Sequence, residues 1–414
     1  VKAISLPFIF YLAVFYNILP HLATFGDNGR INFTLMQPNP TMIGAYGPWA
    51  AGLAPAGPAA FSFRHPRWQG VDDWRTAAHA RLRERLAGPL IAETPTVTVE
   101  RTFTYDGLHV EDLVWQLPYG PATRAYFLKP ANATGKLPGI VGLHCHGGQK
   151  FFGREKITQT ADDAYGLMPY YGGVAWANEL AKRGYAVLVH DTFAFASRRV
   201  WLRDVPEVIR KGVVDPAPGD QAGIEAYNRW AAEHEAIMAK SLFSAGTTWP
   251  GVFLAEDRVA LDVLCARDDV DAERVGCGGL SGGGLRTVFL AGTEARIKCA
   301  VCVGMMTTWR DYLLDKSHTH TWMCYVPLLP NELDYPEILG LRVPLPTLVL
   351  NDIHDALFTL PEMERADQIL QELFAKAGAG ERFRCSYYPG PHKFDQPMQA
   401  EAFAWFDQWL KGLT

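Results

Sequence analysis

The chain has no run of basic residues, no internal repeat and no low-complexity tract. Without a basic run, and with a net charge of −5, it offers little to a nucleic-acid backbone or an anionic membrane surface. Cysteine is sparse. The seven cysteines are odd in number and mostly widely spaced, and Cys145, Cys277, Cys299 and Cys302 sit in apolar, strand-like runs. That pattern reads as buried thiols and argues against a disulfide framework. Lacking repeats, the 414 residues read as one large α/β domain with insertions or as two modest domains.

Long apolar runs are also scarce, the exception being Ile4 to Tyr16 near the start. It follows a single basic residue, Lys2, and is interrupted by Pro7 and Asn17. The stretch 1–41 reads as a signal peptide, a short membrane anchor, or sequence upstream of a start at Met42. Localisation follows that choice, exported for a signal and cytoplasmic for a start near Met42. What the chain does have is an apolar fraction of 48% with twelve Trp and sixteen Tyr. These aromatics suit a large core and equally a pocket for sugars or aryl groups.

From residue 42 to 95 the chain reads as a Gly/Pro-rich arm followed by a helix from Asp72 to Leu86, stopped by Gly88-Pro89. Val97–Phe103 and Leu108–Val114 alternate as antiparallel strands around an Asp106-Gly107 turn, and Arg124–Leu128 is a third strand. Beyond residue 136, strands at 137–143, 185–189, 275–280, 298–303, 347–350 and 383–388 alternate with helices, the pattern of a parallel sheet. Two stretches break the alternation, about 198–250 and 305–342. Long connections at strand C-terminal ends carry ligand sites in such sheets, so both read as lid or pocket-wall insertions.

The alternation centres on Val275-Gly276-Cys277-Gly278-Gly279-Leu280-Ser281-Gly282-Gly283-Gly284. Gly279 to Gly283 fits G-x-S-x-G, in which a serine occupies a strained strand-to-helix turn. The glycines keep side chains away from its hydroxyl, and the following helix N-terminus favours negative charge nearby. Serine needs a base held by an acid. His392, in the loop Pro389-Gly390-Pro391-His392, is the candidate base. Asp355, just past the 347–350 strand, is the candidate acid, with Asp352 as its rival and Asp334 as a third choice. The order Ser281, Asp355, His392 is that of hydrolases. For the oxyanion, Gly282 offers one N–H and the loop His144-Cys145-His146-Gly147-Gly148-Gln149 a second, from Gly148 or Gln149.

The pairs His144/His146 and His318/His320 have strand-like spacing but lack a convincing third ligand, so no metal is expected. His146 is expected beneath the oxyanion loop at the pocket edge, and Trp309, Trp322 and Tyr325 are candidate pocket platforms.

Together, His144-Cys145-His146-Gly147-Gly148, Gly279–Gly284, Asp355 and Pro389–His392 resemble an α/β-hydrolase of the dienelactone hydrolase and acetylxylan esterase-like group. The resemblance covers about 97–414. It implies an eight-stranded, mostly parallel sheet flanked by helices, and cofactor-free ester hydrolysis through an acyl-serine. Dienelactone hydrolases proper carry cysteine where Ser281 stands, which favours a serine carboxylesterase acting on short-chain acyl or carbohydrate esters. A prolyl-oligopeptidase-type peptidase, a non-catalytic binding protein on the same fold, and acyl transfer to an alcohol are the alternatives. Oligomeric state is left open.

Overall fold

The computed structural model describes residues 22–25, 31–34, 41–55, 57–162, 166 and 169–412. The apolar run 4–16 lies outside these residues, and with it the expectation of a signal or anchor. No helix among the described residues is long and apolar enough to cross a membrane. The chain divides into two units, Val1–Ala51 and Gly52–Thr414. In the first, β1 (Leu22–Phe25) pairs antiparallel with β2 (Ile31–Thr34).

The second unit is organised on a single sheet. Three strands come first: β3 (Thr98–Tyr105), β4 (Leu108–Trp115) and β5 (Thr123–Pro130). They are followed by β6 (Leu137–Gly142), β7 (Ala186–His190), β8 (Val270–Leu280), β9 (Ile297–Val303), β10 (Thr347–Asp352) and β11 (Phe383–Tyr388). Their spatial order is β11-β10-β9-β8-β6-β7-β5-β4-β3. Six neighbouring strands, β6 to β11, run parallel, and β5, β4 and β3 add antiparallel at one edge. The sheet therefore has nine strands rather than eight. The ninth is β3, a largely exposed edge strand folded back by the tight Asp106-Gly107 turn, where both residues have positive φ.

Period-two alternation sends neighbouring side chains to opposite faces, and two cores result. Val349, Ala300 and Cys302 face one core; Leu348, Leu350, Cys299 and Val301 face the other. The first is covered by the helices Trp249–Cys265, Gly282–Thr293 and Leu360–Lys376, and the second by Trp176–Lys182 and Gln396–Phe406. The helix Val71–Leu86 also joins the first core, through Trp74, Ala78, Leu82 and Leu86 along one stripe. Each such large apolar side chain contributes about 1.5–3 kcal/mol on burial. The cysteines are free, and burial pushes the Cys277 thiol up to about 12, as expected of inert packing residues.

The two stretches that interrupt the alternation leave from the C-terminal ends of β7 and β9. The earlier one contains the long helix Gln221–Ser244, whose N-cap Asp220 accepts from Gly223 N–H. The later one is a series of short turns closed by the helix Tyr335–Gly340, started by a capping box between Asp334 and Glu337.

Candidate active site

Ser281 sits between the end of β8 at Leu280 and the start of the Gly282–Thr293 helix. Its φ of 59° and ψ of −116° place a side-chain-bearing residue in sparsely populated backbone space. Packing enforces this conformation. A Cβ on Gly283 would stand 2.1 Å from the Leu143 carbonyl oxygen, so the elbow closes against the end of β6 only with glycine there. The turn presents Ser281 at the head of a helix whose first N–H groups have no partner within the helix.

His392 and Asp355 arrive on the two neighbouring strand ends. The loops after β10 and β11 are zipped together, Ile353 N–H donating to the Tyr388 carbonyl at 2.9 Å and His354 N–H to that of Gly390 at 3.2 Å. This brings His392 Nδ1 to 2.5 Å from Asp355 Oδ2, while Asp355 Oδ1 accepts from Leu357 N–H at 2.9 Å. The aspartate is buried, and the imidazole is partly open to the cavity that Ser281 also borders. Asp352, the rival acid, is wholly buried and accepts from Lys393 N–H at 3.0 Å rather than from the imidazole. Burial pushes its carboxyl up to about 7, and its Oδ1 has no partner among the described residues. Asp334 is taken by its helix, accepting from Trp309 and Tyr335 N–H groups.

The loop after β6 wraps over the elbow. Gly147 and Gly148 both have positive φ, so the chain reverses sharply. Gly148 N–H donates to His146 Nδ1 at 3.0 Å, and Gln149 N–H to the His146 carbonyl at 3.2 Å. Gly148 and Gln149, the two alternatives for the second oxyanion donor, thus both have their N–H groups engaged inside the loop itself. The backbone nitrogen next to the elbow is that of His146. A Cβ added to Gly282 would lie 2.7 Å from it, and no acceptor meets this N–H among the described residues.

The His146 ring is held at both nitrogens. Because Nδ1 accepts from Gly148, Nε2 carries the hydrogen and donates to Glu235 Oε1 at 2.9 Å. Glu235 is also ion-paired with the buried Lys150 and accepts from Trp322 N–H at 3.3 Å. Burial alone would raise the Glu235 carboxyl, but the His146 hydrogen bond and the Lys150 ammonium outweigh it and hold Glu235 at about 2. Burial likewise keeps His146 below its ordinary value, so the cluster is a Lys150–Glu235 ion pair with a neutral imidazole.

These groups surround a cavity of about 410 Å3. It is lined by Ser281, Gly282 and His392, by residues 145–148 of the loop after β6, and by both interrupting stretches. The first supplies Ala232 and Glu235; the second supplies Met305, Thr319, His320, Thr321, Met323 and Cys324. His320 Nε2 is tied to the Leu357 carbonyl at 2.9 Å, and burial lowers its ring to about 4, which leaves it neutral.

The expected aromatic platforms are placed elsewhere. Trp309 is buried against Tyr312 and Tyr335 with its indole N–H on the Leu333 carbonyl, so its polar handle is satisfied within the core. Trp322 turns its ring outward and reaches the cavity cluster only through its backbone N–H. Tyr325 directs its hydroxyl to the Ser317 carbonyl at 3.4 Å. The sequence reading missed Glu235, Thr319 and Thr321, and also Tyr170, which lines the same cavity. Glu235 left a signal, since it occupies the same stripe as Ile224, Tyr227, Ala231 and Ala239, where a charge is out of place.

No protein-family model matches the chain. Over 304 residues it is 27% identical to "Putative hydrolase YtaP" of Bacillus subtilis (strain 168), covering 73% of this chain and 88% of that protein. Among solved structures it is similar to a "putative acetyl xylan esterase" from Bacteroides fragilis NCTC 9343. The TM-score is 0.62 at 14% identity, over 88% of this chain and 85% of that one. It is also similar to a glucuronoyl esterase from Solibacter usitatus, with a TM-score of 0.57 at 16% identity over 86% of this chain and 100% of that one. The parallel sheet, the elbow after its central strand and these likenesses have one reading: the chain has the α/β-hydrolase fold.

Proposed function

We propose that the protein is a serine carboxylic-ester hydrolase that acts on short-chain acyl or carbohydrate esters. The observation that carries this reading is the Asp355–His392 hydrogen bond of 2.5 Å opening onto the cavity that the strained Ser281 borders. His392 takes the Ser281 proton as Oγ attacks the ester carbonyl, and Asp355 steadies the imidazolium that forms. The oxyanion falls between the N–H groups of Gly282 and His146, the two backbone donors beside the elbow. Collapse of the tetrahedral adduct releases the alcohol with a proton from His392 and leaves an acyl-serine. Water, deprotonated by His392, then frees the acid.

The carbohydrate-ester part of the reading rests on the named activities of the similar structures and on the mixed character of the cavity. Thr319, Thr321 and Glu235 offer hydroxyl and carboxylate partners beside apolar Met305 and Met323. The test is hydrolysis of p-nitrophenyl esters from acetate to octanoate, of acetylated xylan and of a glucuronate methyl ester, by the wild type and Ser281→Ala. Serine-dependent turnover that peaks at acetate and extends to a carbohydrate ester is the expected result. Near wild-type turnover by Ser281→Ala would sink the proposal.

A further inference from the structure

Lys156 ends a short turn, Arg154–Lys156, and is wholly buried. Its ammonium donates to the carbonyls of Cys145 at 3.0 Å, His146 at 2.8 Å and Gln149 at 2.6 Å. An ammonium has three donors and no acceptor, so this one is spent entirely on one loop. No carboxylate forms an ion pair with it among the described residues, in contrast to Lys150, which has Glu235. The Phe195 ring lies under the charge at 4.5 Å. Burial pushes the Lys156 amine down to about 8, which marks a cation held at a cost.

The three carbonyls have a common consequence. In a trans peptide the C=O of one residue and the N–H of the next point in opposite directions. The carbonyl of Cys145 and the N–H of His146 belong to the same peptide. That carbonyl is held by Lys156 and also meets His144 Nδ1 at 3.1 Å, so the N–H is fixed away from both. His146 N is also the atom that stands 2.7 Å from a Cβ placed on Gly282, beside Ser281. A second carbonyl bond, to His146, fixes the next peptide, and the third, to Gln149, closes the loop behind it.

We propose that Lys156 is the positioning residue of the oxyanion site: by gathering the Cys145, His146 and Gln149 carbonyls, it turns the His146 N–H toward Ser281. The inference rests on the ester-hydrolase reading above. Lys156 touches no substrate in this arrangement. Its charge acts through the peptide it holds, orienting one donor before the reaction begins.

The experiment compares wild type, Ser281→Ala and Lys156→Met in p-nitrophenyl acetate hydrolysis and in binding of a trifluoromethyl ketone. In that ketone, Ser281 Oγ adds to the carbonyl carbon, its proton passes to His392, and the carbonyl oxygen becomes an oxyanion. Loss of one oriented donor lowers kcat by about 10²–10³-fold. KM is expected to stay within about twofold, since the ester carbonyl carries little charge before attack. Ketone affinity is expected to fall in proportion to kcat/KM. Should Lys156→Met fail to fold, as judged by circular dichroism, Lys156→Gln, whose shorter side chain carries two donors for three carbonyls, is expected to give the same split with a smaller loss of kcat. A folded variant with wild-type kcat and wild-type ketone affinity overturns the inference alone. Turnover that survives in Ser281→Ala overturns the ester-hydrolase reading, and the inference with it.

Discussion

Asp355 and Asp352 leave the same strand end, yet only Asp355 reaches the imidazole. Asp355 Oδ2 lies 2.5 Å from His392 Nδ1, whereas Asp352 takes the neighbouring Lys393 N–H at 3.0 Å. One carboxylate orients the ring and the other anchors the loop that carries it. Asp355→Asn is therefore expected to lower kcat by roughly 10⁴-fold, because an amide no longer selects the tautomer with Nε2 free to take a proton. Asp352→Asn, which keeps a carbonyl oxygen for Lys393 N–H, is expected to cost less than about tenfold on the same scale of differences. Steady-state kinetics with p-nitrophenyl acetate decide it, and equal losses in the two variants would refute the division of roles.

Asp352 also carries a stability prediction. Burial pushes its folded pKa up to about 7, above the roughly 3.9 of an unfolded aspartate. Between those values the folded chain binds more protons than the unfolded one, so stability falls as pH rises. The contribution is fully present below about pH 4 and gone above about pH 7 by that linkage. Asp352→Asn removes the titration. Denaturant midpoints measured from pH 4.5 to 8 are expected to decline less steeply for Asp352→Asn than for the wild type. Parallel curves would show that Asp352 does not titrate in this window.

Gly282 makes the space between the elbow and His146. An added Cβ there would meet His146 N at 2.7 Å, a separation that forces one of the two backbones to move. Gly282→Ala is expected to lower kcat by about 10²–10³-fold, the cost of a lost oxyanion donor. Because the His392–Asp355 pair is untouched, the pH dependence of the residual activity should keep its wild-type shape. A shifted profile would place the damage at the base instead.

The parts of the candidate site that are legible in the sequence are those set by local chain geometry. Ser281 and His392 stand in glycine- or proline-punctuated turns whose shape depends on a few adjacent residues. Asp355 follows from the strand end before it. The nine strands were visible as separate runs, and the Asp106-Gly107 turn already paired β3 with β4; the count of eight came from the resemblance and left this edge strand out. Lys156 and Lys150 were not legible, since what buries them is the fold around a loop rather than their neighbours in sequence. The tryptophans misled for a related reason. An indole serves a core and a pocket equally well, and Trp309 went to the core because Leu333 supplied its N–H with an acceptor.

Glu235 links the cavity wall to the long helix Gln221–Ser244, and its worth can be separated from its charge. Removing it leaves Lys150 buried without its counter-charge and His146 Nε2 without an acceptor. Breaking one partner of a buried pair costs about 3–5 kcal/mol, far more than the intact pair contributes over an apolar substitute. Glu235→Leu is thus expected to lower the denaturation free energy by that amount. Lys150→Met in the same chain is expected to recover more than half of it, since no unpaired cation remains. Chemical denaturation of the two single variants and the double variant measures the coupling. Additive losses would mean that the two side chains stabilise the loop independently.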